Sequence, residues 1–360
     1  MKYCSECHNC QLSVVVPPEE MFDNYLYVSS TSSVFREHFD NMANKFIDEF
    51  DLNEDSVVVD IGSNDGIFLK PLQDRGIGIL GVDPAKNVCE IANQNGIETL
   101  EGYFDSSVVS NINDKLGKVD LVTGFNVFAH SDNLVDIIRN VFSILKEDGT
   151  FVIEVQYLLD TINDLSFDNI YHEHTNYWSV TSLNNFVNKV GYTLYKVEHV
   201  DTHGGSIRGY IRRDFEKTDS SVGQFLNQER DFGLLEYDTY KQFAKNVRKC
   251  KVNTLNSLRN LKKNNKRIVG YGSPAKATTT INYYGISTDY IDYIIEDNEL
   301  KHNRYLPGMK IPIRDKNGIS DDPPDFILTL AWNFFDSIKE NNKTFLEKGC
   351  EFINIKDLQV

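Results

Sequence analysis

One arrangement constrains the fold of this chain more than any other, and it occurs twice. VVVDIGSNDG (57–66) is an apolar run that ends in a glycine turn and opens a helical pattern, and RIVGYGSPAKATT (267–279) repeats it far downstream. An apolar run of that length, closed by a Gly-rich turn and followed by helical periodicity, begins a βαβ unit on a parallel sheet. GILGVDP (78–84), KVDLVTGFNVFAH (118–130) and GTFVIEVQY (149–157) continue the first series; IDYIIEDN (291–298) and DFILTLAWNF (325–334) continue the second. Each half also carries an acid after its second run. Gly62 to Asp83 spans 21 positions and Gly272 to Asp297 spans 25, near the ~20 of nucleotide-binding βαβ units. The expected fold is α/β: two Rossmann-like parallel-sheet domains with a small Cys-containing N-terminal cap.

At ~150 residues per domain, 360 residues leave room for two or three domains. Residues 1–50 show no clear period and read as the cap. Residues 51–215 hold the first sheet and a site-bearing segment; 216–360 hold a helical connector, with charges at helical spacing over 216–265, and the second sheet. A hydrophobic share of 41% argues against a largely disordered chain. Lys and Arg number 37 against 53 Asp and Glu, a net charge of −16. That field repels phosphate backbones and anionic lipid, so no nucleic-acid or membrane partner is expected. Without a signal-like start or an apolar run of ~18 residues, a cytoplasmic location is expected. Disulfides are rare there, so Cys4, Cys7 and Cys10 read as thiols or metal ligands, and Cys89, Cys250 and Cys350 as core.

The two turns differ in chemistry. In the first, Asp60 precedes Gly62-Ser63-Asn64-Asp65-Gly66, and Asp83-Pro84 closes the next strand. The third glycine of the dinucleotide fingerprint is missing, and Asp60 and Asp65 would repel a pyrophosphate. A sulfonium nucleoside, with no phosphate and a positive charge, suits these acids better than NAD; a plain strand–helix turn is the alternative. In the second, GYGSPAK (270–276) sets Tyr271, Ser273 and Lys276 around a helix start, a seat suited to a diphosphate, or a turn with a surface lysine.

Between the turns lies NIYHEHTNYW (169–178). A histidine can remove a proton, a neighbouring carboxylate can raise its basicity, and a tyrosine can steady an oxyanion. His172 and His174 could instead hold a metal, although the zincin HExxH is absent; a network of satisfied hydrogen bonds is a third reading. THGGSIRGY (202–210) offers His203, Gly205 and Arg208 to a phosphate or carbonyl, or is a Gly hairpin.

Together IGSNDG, FNVFAH, FDNIYHEH, HGGSIRGY, GYGSPAKATT and EDNELKHNRYLPG resemble the S-adenosylmethionine (SAM)-dependent sugar C-methyltransferases, which act on nucleotide-linked 4-keto-deoxysugars, typically at C3. The likeness runs in order from about Tyr25 to the C-terminus. It implies a small zinc-binding N-terminal piece, a middle methyltransferase domain and a C-terminal Rossmann-like domain that anchors the nucleotide sugar. It makes His174 the general base, with Tyr171 and Glu173 beside it and Tyr25 and His130 lining the site. The turn from Gly62 to Asp65, Asp60, Asp83, Pro84 and Asn126 fall on the cofactor side. His203, Gly205, Arg208, Tyr271, Ser273, Lys276, Asn298, Lys301, Trp332 and Asn333 fall where the sugar nucleotide should lie.

Two departures stand out. The family has two CxxC knuckles for a four-thiolate zinc. This chain has one, Cys4 to Cys7, with Cys10 behind it, so a well-formed zinc site is not expected. Phe125 also stands where the family more often has asparagine. The favoured expectation is SAM-dependent C-methylation of a nucleotide-diphosphate keto-sugar next to its ketone. Methyl transfer to another carbon or a heteroatom, and an NAD-linked sugar-nucleotide oxidoreductase, are the competing readings.

Overall fold

Residues 1–23, 25, 28–31, 33–202, 204–213, 218–317 and 323–359 are described by the structure, a computed structural model. Contacts divide the chain into two units, 1–159 with 172–235, and 160–171 with 236–360.

Unit 1 begins with a knuckle. Lys2–Tyr3 (β1) pairs antiparallel with Cys10–Gln11 (β2), which pairs in turn with a short strand at Asn176–Tyr177. After a short helix at Pro18–Phe22, the long helix Ser33–Glu49 (α1) belongs to the core rather than to a separate cap. Its Met42, Ala43 and Phe46 pack with Val58, Phe68, Leu69, Leu72, Leu121 and Tyr210. The apolar run then forms Val57–Ile61 (β3), followed by Leu69–Gln73 (α2), Gly78–Asp83 (β4), Lys86–Gln94 (α3) and Thr99–Glu101 (β5). Ser106–Leu116 (α4), Val119–Phe125 (β6), Leu134–Ile144 (α5) and Leu145–Gln156 (β7) continue the alternation. Asp105 caps α4 by accepting from Ser107 and Val108 N–H, satisfying donors a helix start leaves open. Asn176–Tyr177 (β8), Val180–Lys189 (α6), Thr193–Val200 (β9), Ser206–Arg212 (β10) and Ser220–Phe232 (α7) complete the unit.

The main sheet of unit 1 runs β5-β4-β3-β6-β7-β10-β9. From β5 to β7 it is parallel; β10 lies antiparallel to both β7 and β9. A parallel sheet needs both faces covered, which is why β3 reads as a continuous apolar run and not as an alternation. Sequence spacing groups α7 with the segments after it, yet it packs in unit 1. The cause is Glu229, fully buried, whose carboxylate accepts Val180 N–H at 2.5 Å and Thr181 N–H at 2.9 Å at the start of α6.

Unit 2 comprises Tyr237–Lys263 (α8), Ile268–Tyr271 (β11), Ala275–Tyr284 (α9), Ile294–Ile295 (β12), Ile313–Arg314 (β13), Phe326–Thr329 (β14) and Glu351–Asn354 (β15), with the segment 160–171. Its sheet runs β13-β12-β11-β14-β15 and is parallel throughout. Val269, Tyr271, Tyr293, Ile295, Ile327, Phe345 and Phe352 form its core. In both sheets the strand order reverses beside the first strand, between β3 and β6 and between β11 and β14. Ligands of open α/β sheets bind at the carboxyl ends of strands at such a switch point. Both glycine turns of the sequence lie there.

Candidate active site

The first switch point is built on a turn that only glycine tolerates. Gly62 has φ +67°, and a Cβ there would lie 2.6 Å from Val127 Cγ2, at the exit of β6. Asn64, also left-handed at φ +51°, donates its N–H to Asp83 Oδ2 at 2.9 Å, while Ala85 N–H donates to Oδ1 at 2.9 Å. Asp83 thus stands at the end of β4, where a ribose-binding acid belongs, and burial pushes its carboxyl pKa up. Asp60 accepts the Thr123 hydroxyl at 2.6 Å; burial, with Asp83 nearby, pushes it up to about 7. Ser29 N–H bonds Asn64 Oδ1 and Ser30 N–H bonds Asp65 Oδ2, so the segment before α1 is tied to the turn. Asn126, at φ +61° beyond β6, donates its N–H to Glu154 O at 2.7 Å. Gly62, Ser63, Asn64, Asp65, Asp83 and Pro84 thus gather on β3 and β4, with Asn126 beyond the neighbouring strand.

The histidine segment is fastened beside it. Thr175 Oγ1 donates to Ala129 O at 3.0 Å, Asn176 N–H to the same carbonyl at 3.1 Å, and Trp178 Nε1 to Phe128 O at 3.0 Å. These bonds hold the chain after His174 against the loop that carries His130. The two imidazoles meet edge to face with centroids 5.0 Å apart. Phe22 packs edge-on to His130 and to Tyr25, and the Tyr25 hydroxyl reaches Glu173 Oε2 at 3.5 Å. His174 is buried and His172 exposed. Burial raises the Glu173 carboxyl, against the pull of His172 and the Tyr25 hydroxyl. Tyr25, His130, Glu173 and His174 therefore form one cluster in unit 1; Tyr171 belongs to unit 2.

The residues expected on the substrate fall into two sets. Gly205 and Arg208 lie in unit 1, where Gly205 (φ +103°) sits in the β9–β10 hairpin. Arg208 is 5% exposed, and Nε and Nη2 donate to Glu154 Oε2 at 3.1 and 2.7 Å. A guanidinium engaged by a buried carboxylate is not offered to a phosphate, which corrects the expectation for Arg208. His203 lies outside the described residues.

In unit 2, Gly272 (φ +85°) opens the second turn. Tyr271 donates to Asp297 Oδ2 at 2.8 Å. The Lys276 ammonium stands 5.1 Å from the centroid of Trp332, whose Nε1 donates to Asp168 at 2.6 Å; Asn333 is exposed. The diphosphate seat expected at the helix start differs in one respect: Ser273 N–H and Oγ both donate to Glu296, a residue the sequence reading passed over for Asp297.

The knuckle does not gather metal ligands as a set of three. Cys10 is buried while Cys7 is exposed, and no group of three His, Cys, Asp or Glu able to hold a metal occurs among the described residues. The Cys4, Cys7, Cys10 triad is corrected accordingly: β2 turns Cys10 into the packing between β1 and β8.

A strand-end acid beside a glycine turn, on a sheet that is parallel from β5 to β7 and closes with an antiparallel hairpin, is the arrangement of a SAM-dependent methyltransferase. Residues 35–197 match the family model described as a methyltransferase domain, and 201–355 the one described as a C-methyltransferase C-terminal domain. The chain belongs to the C-methyltransferases: it is 32% identical over 353 residues, 97% of its length and 84% of the other's, to the C-methyltransferase NovU of Streptomyces niveus. A ubiquinone biosynthesis O-methyltransferase of Vibrio campbellii is 26% identical over 94 residues, 26% of this chain and 40% of that one. Among solved structures, the magnesium protoporphyrin IX methyltransferase of Synechocystis PCC 6803 with bound SAH aligns over 50% of this chain and 83% of that one, at 14% identity and TM-score 0.40. The donor is SAM. No helix among the described residues is long and apolar enough to cross a membrane.

Proposed function

We propose that this enzyme methylates the carbon next to the ketone of a nucleotide-diphosphate-linked 4-keto-deoxysugar, at C3, with His174 as the base. Unit 1 carries the donor site and the imidazole; unit 2 anchors the nucleotide. The observation that carries the reading is the buried His174 ring held beside His130, in one cluster with Glu173 and Tyr25, in the unit that binds SAM. C-methylation needs a carbon nucleophile, and a ketone makes its neighbouring C–H acidic enough for an imidazole to remove. The motif likeness supports the keto-sugar as the acceptor, and the C-methyltransferase relative supports transfer to carbon.

When bound, SAM supplies an electrophilic methyl group on a sulfonium. The protein's own residues do the remainder. His174 takes the proton from the acceptor carbon, and Glu173, its carboxyl raised by burial, precedes it in the chain. Tyr25 is the hydroxyl donor of unit 1 for the developing oxyanion. Asp60 and Asp83 place two carboxyl groups, both raised by burial, at the donor turn.

The test is proton exchange. A nucleoside-diphosphate 4-keto-6-deoxyhexose, generated in place by a 4,6-dehydratase, is incubated with enzyme in D₂O without methyl donor. Deuterium should enter the position next to the ketone with wild type and not with His174→Asn. Exchange that survives His174→Asn, or methylation at oxygen once SAM is added, overturns the assignment.

A further inference from the structure

Three groups expected on the sugar nucleotide, Ser273, Asn298 and Lys301, all turn toward one carboxylate. Glu296 follows β12 directly, and its side chain is 13% exposed. Oε2 accepts the Ser273 N–H at 2.8 Å and the Ser273 hydroxyl at 2.5 Å; Oε1 accepts the Asn298 N–H at 3.2 Å. The Lys301 ammonium lies 3.6 Å from Oε2 and donates to Ser273 O at 3.1 Å.

Unit 1 contains the same device. There a left-handed glycine, Gly62, ends the first strand, and the acid at the end of the adjoining strand, Asp83, takes the N–H of a turn residue, Asn64. In unit 2 the left-handed Gly272 ends β11, and Glu296, at the end of the adjoining β12, takes the N–H of Ser273. The two units thus present one strand-end acid each at equivalent places in their sheets. A carboxylate oxygen can accept more than one hydrogen bond, so both acids retain acceptor capacity after these contacts.

An ionised carboxylate accepts from hydroxyls and repels phosphate. Burial pushes Glu296 up, but the charge of Lys301 and the donors of Ser273 and Asn298 outweigh it and hold the carboxyl below its usual range. An anion at the Ser273 turn would face that charge. The Lys276 ammonium, beside Trp332, has Asp168 as its raising partner instead.

We infer that Glu296 is the ribose-reading acid of unit 2, accepting nucleoside hydroxyls as Asp83 does in unit 1, with the diphosphate directed to Lys276 rather than to the Ser273 turn. This rests on the reading of unit 2 as the nucleotide anchor. It makes Glu296 a binding residue for the nucleoside and leaves the phosphates to a different side chain.

The experiment is calorimetric titration of the full chain with uridine diphosphate, thymidine diphosphate, a 2′,3′-dideoxynucleoside diphosphate and inorganic pyrophosphate. A hydrogen bond to a charged group contributes ~1.5–3 kcal/mol, so wild type should bind the better nucleoside diphosphate at least about tenfold more tightly than its dideoxy counterpart. Glu296→Gln, which keeps the length and an acceptor for Ser273, should erase that gap while leaving pyrophosphate affinity within about twofold. Glu296→Asp, which withdraws the charge by one methylene, is read the same way if the glutamine variant does not fold. A gap that is absent in wild type, or that survives both variants, overturns the inference alone. If neither nucleotide binds wild type, the nucleotide-anchor reading fails and takes the inference with it.

Discussion

The rings of His130 and His174 meet edge to face, their centroids 5.0 Å apart and their planes inclined by 74°. That contact fixes the plane of the His174 ring as much as its place. The bonds from Thr175 and Asn176 to Ala129 and Ser131 are what hold the two loops in register. Removing the imidazole removes the proposed proton acceptor but leaves the clamp. His174→Asn should lower turnover by ~10²–10⁴, while S-adenosylhomocysteine still raises the melting temperature by the wild-type amount. Undiminished turnover removes His174 as the base.

Gly62 gives a sharper test of the donor site. A side chain there combines a left-handed backbone with a Cβ 2.6 Å from Val127 Cγ2. Gly62→Ala should therefore destabilise by more than the ~1 kcal/mol of backbone preference alone and displace Val127, which follows Asn126. The expected result is loss of the melting shift caused by S-adenosylhomocysteine, read by calorimetry. An unchanged shift would mean that the donor does not use this turn.

Much of this was legible in the sequence because parallel strands buried on both faces leave long apolar runs, and a turn needing positive φ leaves a glycine. The spacing from Gly62 to Asp83 located the acid at the end of β4, and Asn64 N–H meets it. Three features were less legible. Helix α1 carries Phe39, Met42, Ala43, Phe46 and Ile47 at helical spacing, with Phe50 just past its end, a core-facing period that the charged residues between them obscure. Arg208 reads as a phosphate ligand because its partner, Glu154, is 54 positions away on a neighbouring strand. Glu296 and Asp297 are adjacent acids after a strand, and sequence has no way to say which one turns toward Ser273. That is settled by the side to which the chain leaves Ile295: Glu296 meets the turn, and Asp297 meets Tyr271.

The acid pair at the donor site makes stability depend on pH. Burial raises Asp60 from 3.8 to about 7, so the folded state prefers the protonated form. The unfolded carboxyl has already lost its proton at pH 6. Stability from this group is therefore full below the unfolded value and is lost as pH rises through 7. Between pH 6 and 8 the loss is on the order of 1.4 kcal/mol. Asp60→Asn, which can still accept from Thr123, should lose less over the same range without ligand. Urea midpoints at the two pH values provide the comparison, and parallel curves for the two proteins would show that Asp60 does not titrate there.

Trp332 and Asp168 tie the segment that leads into Tyr171 to the exit of β14. The indole N–H donates to Asp168 Oδ2 at 2.6 Å, and Lys356 holds the Asp164 and Leu165 carbonyls at 3.0 and 3.2 Å. Asp168 is 2% exposed, and its Oδ1 has no hydrogen-bond partner among the described residues, so the carboxylate depends on that single indole bond and on the nearby ammonium groups. Trp332→Phe keeps a ring under Lys276 and Lys356 but takes away the donor, which should cost ~1–3 kcal/mol by leaving a buried acceptor unmade. Asp168→Asn removes the charge from the same contact. If the bond is the source of both losses, the double variant should be less destabilised than the sum, with a coupling of ~1–3 kcal/mol in urea unfolding. Strictly additive losses would mean that the indole stabilises unit 2 through its ring alone. The same bond bears on binding, because Asp168 opposes the burial that lowers the Lys276 pKa. Asp168→Asn should therefore let Lys276 lose its proton at lower pH, and pyrophosphate affinity should fall off earlier on the alkaline side than in wild type.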